Sequence, residues 1–111
     1  IDDSPAQRRE IRRILSKSGL FQAFYEAGDG IEAIRMALEH PPDLVLCDLE
    51  MPGVDGFKFL TIRNTRQELA DVPVIILTGN TDKRTKIRGL DQGAHDFITK
   101  PFEPEELIAR V

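Results

Sequence analysis

The chain has 111 residues, is 41% hydrophobic and 31% charged, and carries a net charge of −4. That size suits one domain around one core, and the mild acidity argues against a surface built for nucleic-acid backbone, which needs a basic patch. No apolar run approaches the roughly 20 residues of a membrane span and no signal-peptide pattern is visible, while a lone cysteine, Cys47, excludes an internal disulfide and zinc-finger spacing; a cytoplasmic protein is expected.

Ile1 reads as the last residue of a strand, and "PEELIARV" at the other end as a helical pattern that stops after two turns. The sequence is therefore expected to be a piece of a longer polypeptide, truncated at both ends. Ser4 before Pro5 reads as a helix N-cap followed by the first helical position. Gln7, Ile11, Ile14, Leu15 and Ser18 then share a face, and Gly19 ends the helix. "FQAFYEA", 21–27, is rich in aromatics and predicts a strand; "GDG" is a turn. Ile31, Ile34 and Leu38 mark the inner face of a second helix, stopped by Pro41 and Pro42.

"LVLCD" is a continuous apolar strand ending in Asp48, and "MPGVDG" is a loop in which Asp55 is best explained as the cap of the next helix. Residues 56–66 predict that helix, with Phe57 and Leu60 inward. "VPVIILT", 72–78, is a second apolar strand; Thr81 or Asp82 can cap the helix that follows, whose face is marked by Ile87, Leu90 and Ala94. "DFIT", 96–99, is a short strand, and the last helix turns Leu107, Ile108 and Val111 inward.

Strands that alternate with helices imply a parallel sheet covered on both faces. In such a sheet all strand C-termini meet at one edge, where ligands bind. The residues at those ends are Asp2 and Asp3, Asp48, Thr78 and Lys100. Each has an ordinary reading alone. Asp2 or Asp3 can cap a helix, Asp48 can start an Asx turn, Thr78 is a common strand former, and Lys100 can be a solvated loop lysine. Those readings do not account for all of them falling at one edge. Together they make a set: clustered carboxylates suit a hard cation such as Mg²⁺, a carboxylate beside it can act as a nucleophile toward phosphorus, and an ammonium and a hydroxyl can offset charge on a transferring phosphoryl group.

"DD" at 2–3, "DLEMPGVDG" at 48–56, "ILTG" at 76–79 and "DFITKPF" at 96–102 resemble the receiver domain of two-component response regulators, in order and over the whole chain. The resemblance implies a flavodoxin-like fold, a doubly wound five-stranded parallel sheet of order 2-1-3-4-5 in a three-layer αβα sandwich. It implies a phosphorylation-activated switch that is not itself an enzyme. Asp48 would be the phosphoacceptor, served by a histidine kinase or a histidine phosphotransfer protein. Mg²⁺ would be held by Asp3, by Asp2 through water, by Asp48 and by the backbone carbonyl of Glu50. Thr78 would be the switch hydroxyl, Lys100 the phosphoryl partner before a cis Pro101, and Phe97 the switch aromatic. Gly79 would leave room beside Thr78, and Glu50 and Asn80 would tune the lifetime of the phosphoaspartate.

Two rivals belong to other classes. A haloacid-dehalogenase-like phosphatase would carry an aspartate two residues past the nucleophile, where this chain has Glu50, and its nucleophile follows the first strand. A receiver-shaped docking module would never be phosphorylated. Basic residues Lys83, Arg84, Lys86 and Arg88 on the fourth helix and acidic Glu103, Glu105 and Glu106 on the fifth fit either a solvated surface or a two-fold dimer through the 82–110 face. His40 and His95 are expected at the surface and Cys47 as a buried thiol. The output domain or effector partner is not legible.

Overall fold

The computed structural model describes residues 1–49, 56–79 and 83–111. Along them run α1 (Pro5–Ser18), α2 (Gly30–Glu39), β1 (Val45–Asp48), α3 (Gly56–Thr65), β2 (Val74–Thr78), α4 (Lys83–Asp91), β3 (Asp96–Thr99) and α5 (Pro104–Arg110). Local chemistry sets the helix ends. Ser4 is extended, and its Oγ accepts from the Gln7 N–H at 3.2 Å, satisfying one of the unpaired amides of the first turn of α1. Gly19 closes that helix in the left-handed region at φ 73°. Asp29 caps α2 in the same way, accepting from the Glu32 N–H at 2.8 Å.

The three strands form a parallel sheet in the order β1-β2-β3. Val45 to Asp48 align with Val74 to Leu77, and Ile75 to Thr78 align with Asp96 to Thr99. Side chains alternate across the sheet into two cores. Cys47, Ile76 and Phe97 pack with Ala33, Ile34 and Ala37 of α2 and with Phe59 and Leu60 of α3. Ile75, Leu77 and Ile98 pack with Ile14 and Leu15 of α1 and with Leu107 of α5. Both faces of the sheet are thus covered, and β2 is buried along its whole length.

Five strands were expected, and three form among the described residues. The segment 21–27 is not a strand. Its neighbour in space is Ile1–Asp2, which lies between it and β1. Asp2 N–H donates to Ala27 O at 3.0 Å, and Asp48 N–H donates to Ile1 O at 2.8 Å. Two residues supply those bonds but cannot build a ladder on either side. A groove of about 720 Å³, lined by Leu15, Phe24, Leu46 and Leu77 among others, runs between 21–27 and β1.

Two helix faces also differ from expectation. Ile34 is buried, but Ile31 and Leu38 are exposed, because α2 turns Ala33 and Ala37 to the sheet beside Ile34. On α4, Ile87 and Leu90 are exposed and Gly89 faces inward. A Cβ at Gly89 would lie 2.2 Å from Phe97 Cζ, so the buried Phe97 ring stands where a side chain would be. In both helices small residues face the sheet and let the helix approach closely, which hydrophobicity alone does not reveal. Thr81, Asp82 and Asp55, considered as caps, lie outside the described residues.

Candidate functional site

β1 ends at Asp48 and β2 at Thr78, and Lys100 follows β3 directly, so the parallel order brings all three to one edge. Ile1 beside β1 delivers Asp2 and Asp3 to the same edge. From there the chain enters α1 on one face of the sheet, while after Asp48 it reaches α3 on the other. Connections that diverge in this way leave a crevice at the strand ends. Gly56, the first residue of α3, walls it closely: a Cβ there would be 3.2 Å from Asp48 O and 3.1 Å from Leu49 Cα.

One carboxylate oxygen from each of Asp2, Asp3 and Asp48 lies within 4.8 Å of the others. Asp2 and Asp48 are buried and Asp3 is exposed. Asp2 Oδ1 accepts from the Ser4 N–H at 2.8 Å, and its Oδ2 accepts from the Gln7 side-chain amide. The Arg8 guanidinium donates to the Asp2 carbonyl and also pairs with Glu26 at 3.3 Å. Arg12 and then Arg8 hold the Glu26 carboxyl below its ordinary value of 4.5.

Lys100 Nζ donates to Asp48 Oδ1 at 2.8 Å, and its backbone N–H donates to Thr78 O at 2.8 Å. The Lys100 side chain is 22% exposed, so the pair is far drier than a surface ion pair. The Lys100–Pro101 peptide is cis. Thr78 is buried at the end of β2. Register aligns Ile76 with Phe97 and Thr78 with Thr99, so Phe97 and Thr78 share one side of the sheet.

The donor set is oxygen-only, with no imidazole or thiolate among the clustered groups. Like charges this close repel each other, and the Lys100 ammonium lies on one of them. The residues therefore fit a hard divalent cation. Among the described residues a Cβ at Gly79 would meet nothing within 4 Å. Glu50 and Asn80 lie outside the described residues. Cys47 is buried, with its Sγ 3.5 Å from Asp48 O. His40 and His95 are exposed, and His40 stacks on Tyr25 at 4.7 Å. Sequence reasoning read Gln7 only as an inward helix position and did not single out Arg8 or Glu26. The available signal was a polar amide on the face that carries Ile11, Ile14 and Leu15.

The sequence matches the response regulator receiver domain family over residues 1–111. It is 40% identical over all 111 residues to the DNA-binding dual master transcriptional regulator RpaA of Synechocystis, of which it covers 45%. It is 37% identical over the same length to the phosphate regulon transcriptional regulatory protein PhoB of Escherichia coli, of which it covers 48%. The chain thus spans about half the length of the curated relatives it matches. Among solved structures, the chemotaxis protein CheY4 of Vibrio cholerae aligns with a TM-score of 0.91 at 30% identity, over 98% of this chain and 89% of that one. With the match unbroken from Ile1 to Val111 and the strand-end residues gathered at one edge, the chain belongs to the response regulator receiver domain family.

Proposed function

We propose that Asp48 is the phosphoacceptor of a two-component signalling switch. The observation that carries this is the meeting of the Asp2, Asp3 and Asp48 carboxylates with the Lys100 ammonium at the strand ends. Phosphorylation switching is the general function of the family, whose members bind Mg²⁺ in an acidic pocket of this kind. Here Asp2, Asp3 and Asp48, with the Glu50 carbonyl, would hold the ion. Bound Mg²⁺ supplies positive charge that offsets charge on a transferring phosphoryl group.

The chain's own groups do the rest. A carboxylate oxygen of Asp48 attacks phosphorus as the P–N bond of a phosphohistidine breaks, and the electron pair of that bond stays on the imidazole nitrogen. The histidine belongs to a histidine kinase or a histidine phosphotransfer protein. Lys100, already on Asp48, neutralises negative charge at the new acyl phosphate. The Thr78 hydroxyl donates to a phosphoryl oxygen, and Phe97, on the same side of the sheet, follows it and remodels α4 and α5. Glu50 and Asn80 tune how long the acyl phosphate survives. The family role is regulatory, and the chain would assist both its own phosphotransfer and the later hydrolysis of the acyl phosphate.

The same reading extends to partners. Ile87 and Leu90 lie exposed on α4, which supports a homodimer through the 82–110 face. Sedimentation with and without a phosphoryl mimic checks it, and a monomer under both conditions refutes it. The chain would be part of a longer cytoplasmic polypeptide. Residues before Ile1 would add a strand in the groove beside 21–27 and so complete the five-stranded sheet, and an output domain or effector would respond to the switch. No helix among the described residues is long and apolar enough to cross a membrane.

Acetyl phosphate with Mg²⁺, read by intact-protein mass spectrometry, tests the central claim. One phosphoryl group is expected on the wild type and none on Asp48→Asn. Labelling that survives Asp48→Asn overturns the assignment, and an unmodified wild type identifies a docking module instead.

A further inference from the structure

Asp2 is the most deeply set of the three clustered carboxylates, and its oxygens are held by two different donors. The Ser4 N–H on Oδ1 comes with the turn into α1 and survives any side-chain change. The Gln7 amide on Oδ2 is supplied by one particular side chain. Gln7 is itself fixed, because its N–H donates to the capping Ser4 Oγ at 3.2 Å. Its neighbour Arg8 grips the carbonyl of the same aspartate. The first turn of α1 therefore holds Asp2 at both ends, and Gln7 is the part of that hold that reaches the carboxylate.

We propose that Gln7 is a positioning residue for the divalent-cation pocket: its side-chain amide fixes the Asp2 carboxylate in the orientation that Mg²⁺, or a water of Mg²⁺, uses, and so sets the affinity for the ion. The inference rests on the reading of Asp2, Asp3 and Asp48 as a cation pocket. A buried carboxylate with like charges within 4.8 Å is pushed to rotate away from them while no cation is bound. A donor on each oxygen resists that rotation, and each oxygen keeps a lone pair for the ion. The donor's chemistry also matters. A lysine or arginine would hold Asp2 as well but would repel the cation, whereas a neutral amide holds it without competing charge. Gln7 is half-buried, and an amide taken partly out of water needs a partner, which Asp2 supplies.

Mg²⁺ titration of the unphosphorylated protein, followed by calorimetry or amide chemical shifts, tests this without relying on phosphotransfer. Gln7→Met keeps the length of the side chain and removes the donor; Gln7→Ala removes both. Outer-shell partners of this kind typically set affinity by about 10–100-fold, and a Kd raised about tenfold in both variants is expected at the lower end of that range. Similar losses in the two identify the donor, not the packing, as the cause. A purely structural role would lower the melting temperature of the metal-free variants and leave the Kd at its wild-type value, which overturns the proposal, as does tighter binding in either variant. A wild type that does not bind Mg²⁺ overturns the cation-pocket reading itself, whereas a wild type that binds and variants that match it overturn only the role of Gln7.

Discussion

The sheet buries charge at both of its ends, in opposite ways. At the C-terminal end Asp2 and Asp48 are 2% and 3% exposed; at the N-terminal end Arg63 of α3 is 4% exposed. Arg63 Nη2 and Nε donate to Val72 O at 2.7 and 3.2 Å, and Nη1 donates to Asn64 Oδ1 at 2.8 Å and to Gly93 O at 3.4 Å. Asn64 adds a bond of its own to Gln92 O at 2.6 Å. These partners are neutral acceptors that lead into β2 and out of α4. Burial lowers the Arg63 pKa, and Asp71 opposes the shift; an arginine stays charged through such a change. One end is thus a cation whose hydrogen bonds are made, clasping three segments. The other brings three carboxylates within 4.8 Å of one another, with the Lys100 ammonium on Asp48. Burial is equal at the two ends, so burial does not mark function. What differs is the arrangement of charge: a cation among neutral acceptors at one end, and like charges gathered in one crevice at the other.

The largest test of this contrast is Arg63→Met. It leaves the Val72 and Gly93 carbonyls without their donor and should cost about 3 kcal/mol of unfolding free energy in urea. Labelling of Asp48 by acetyl phosphate should be unchanged in the folded fraction. Asp48→Asn should behave oppositely, losing labelling while stability without Mg²⁺ stays level or rises, since one like charge is gone. A loss under about 1 kcal/mol for Arg63→Met would mean that water replaces the clasp.

Gly89→Ala comes next. A glycine inside a helix is about 1 kcal/mol less favourable than alanine, so the change would stabilise α4 in isolation. Against that, the new Cβ would overlap the Phe97 ring at 2.2 Å. The steric term should win, giving a net loss of about 1–2 kcal/mol. In a Phe97→Ala background the sign should reverse to a gain of up to about 1 kcal/mol. A loss in both backgrounds would show that Phe97 is not what Gly89 accommodates.

Mg²⁺ should distinguish the two ends with a smaller effect. At ten times its Kd, the ion should add about 1.4 kcal/mol to the wild type by mass action. The same increment should appear in Arg63→Met and shrink in Asp48→Asn. An equal increment in Asp48→Asn would place the ion elsewhere.

The C-terminal end was legible in the sequence because its logic is topological. Apolar runs at 44–47 and 74–77 mark buried strands, and parallel order then forces Asp48, Thr78 and Lys100 together. The N-terminal clasp was not legible. Arg63 looks like any helix-surface arginine, and its partners are backbone carbonyls, which carry no sequence signature. Segment 21–27 has strand-forming residues, yet a ladder needs a paired neighbour, and Ile1–Asp2 offers Ala27 one bond. The phases of α2 and α4 were misread for a related reason. Large apolar residues such as Ile31 and Leu90 suggest an inner face, but where a helix lies close to the sheet, alanine and glycine occupy it.

The smallest expected effect separates ionic from neutral bracing. Glu26 takes Arg12 at 2.8 Å and Arg8 at 3.3 Å, and Arg8 in turn grips the Asp2 carbonyl. The folded pKa of Glu26 lies below 4.5. Its contribution is therefore fully present above that unfolded value and is lost as pH falls through the folded one. A third of the side chain remains exposed, so screening keeps the contribution to a few tenths of a kcal/mol. The stability gap between wild type and Glu26→Gln should be measurable at pH 7 in low salt and should close as pH falls through the folded pKa of Glu26, or in high salt. The gap between wild type and Arg63→Met should persist through the same range, because the acceptors of Arg63 do not titrate. If the Glu26 gap also persists in acid, Glu26 braces Arg8 through packing and hydrogen bonding that survive protonation, and the two ends of the sheet would then share one kind of support.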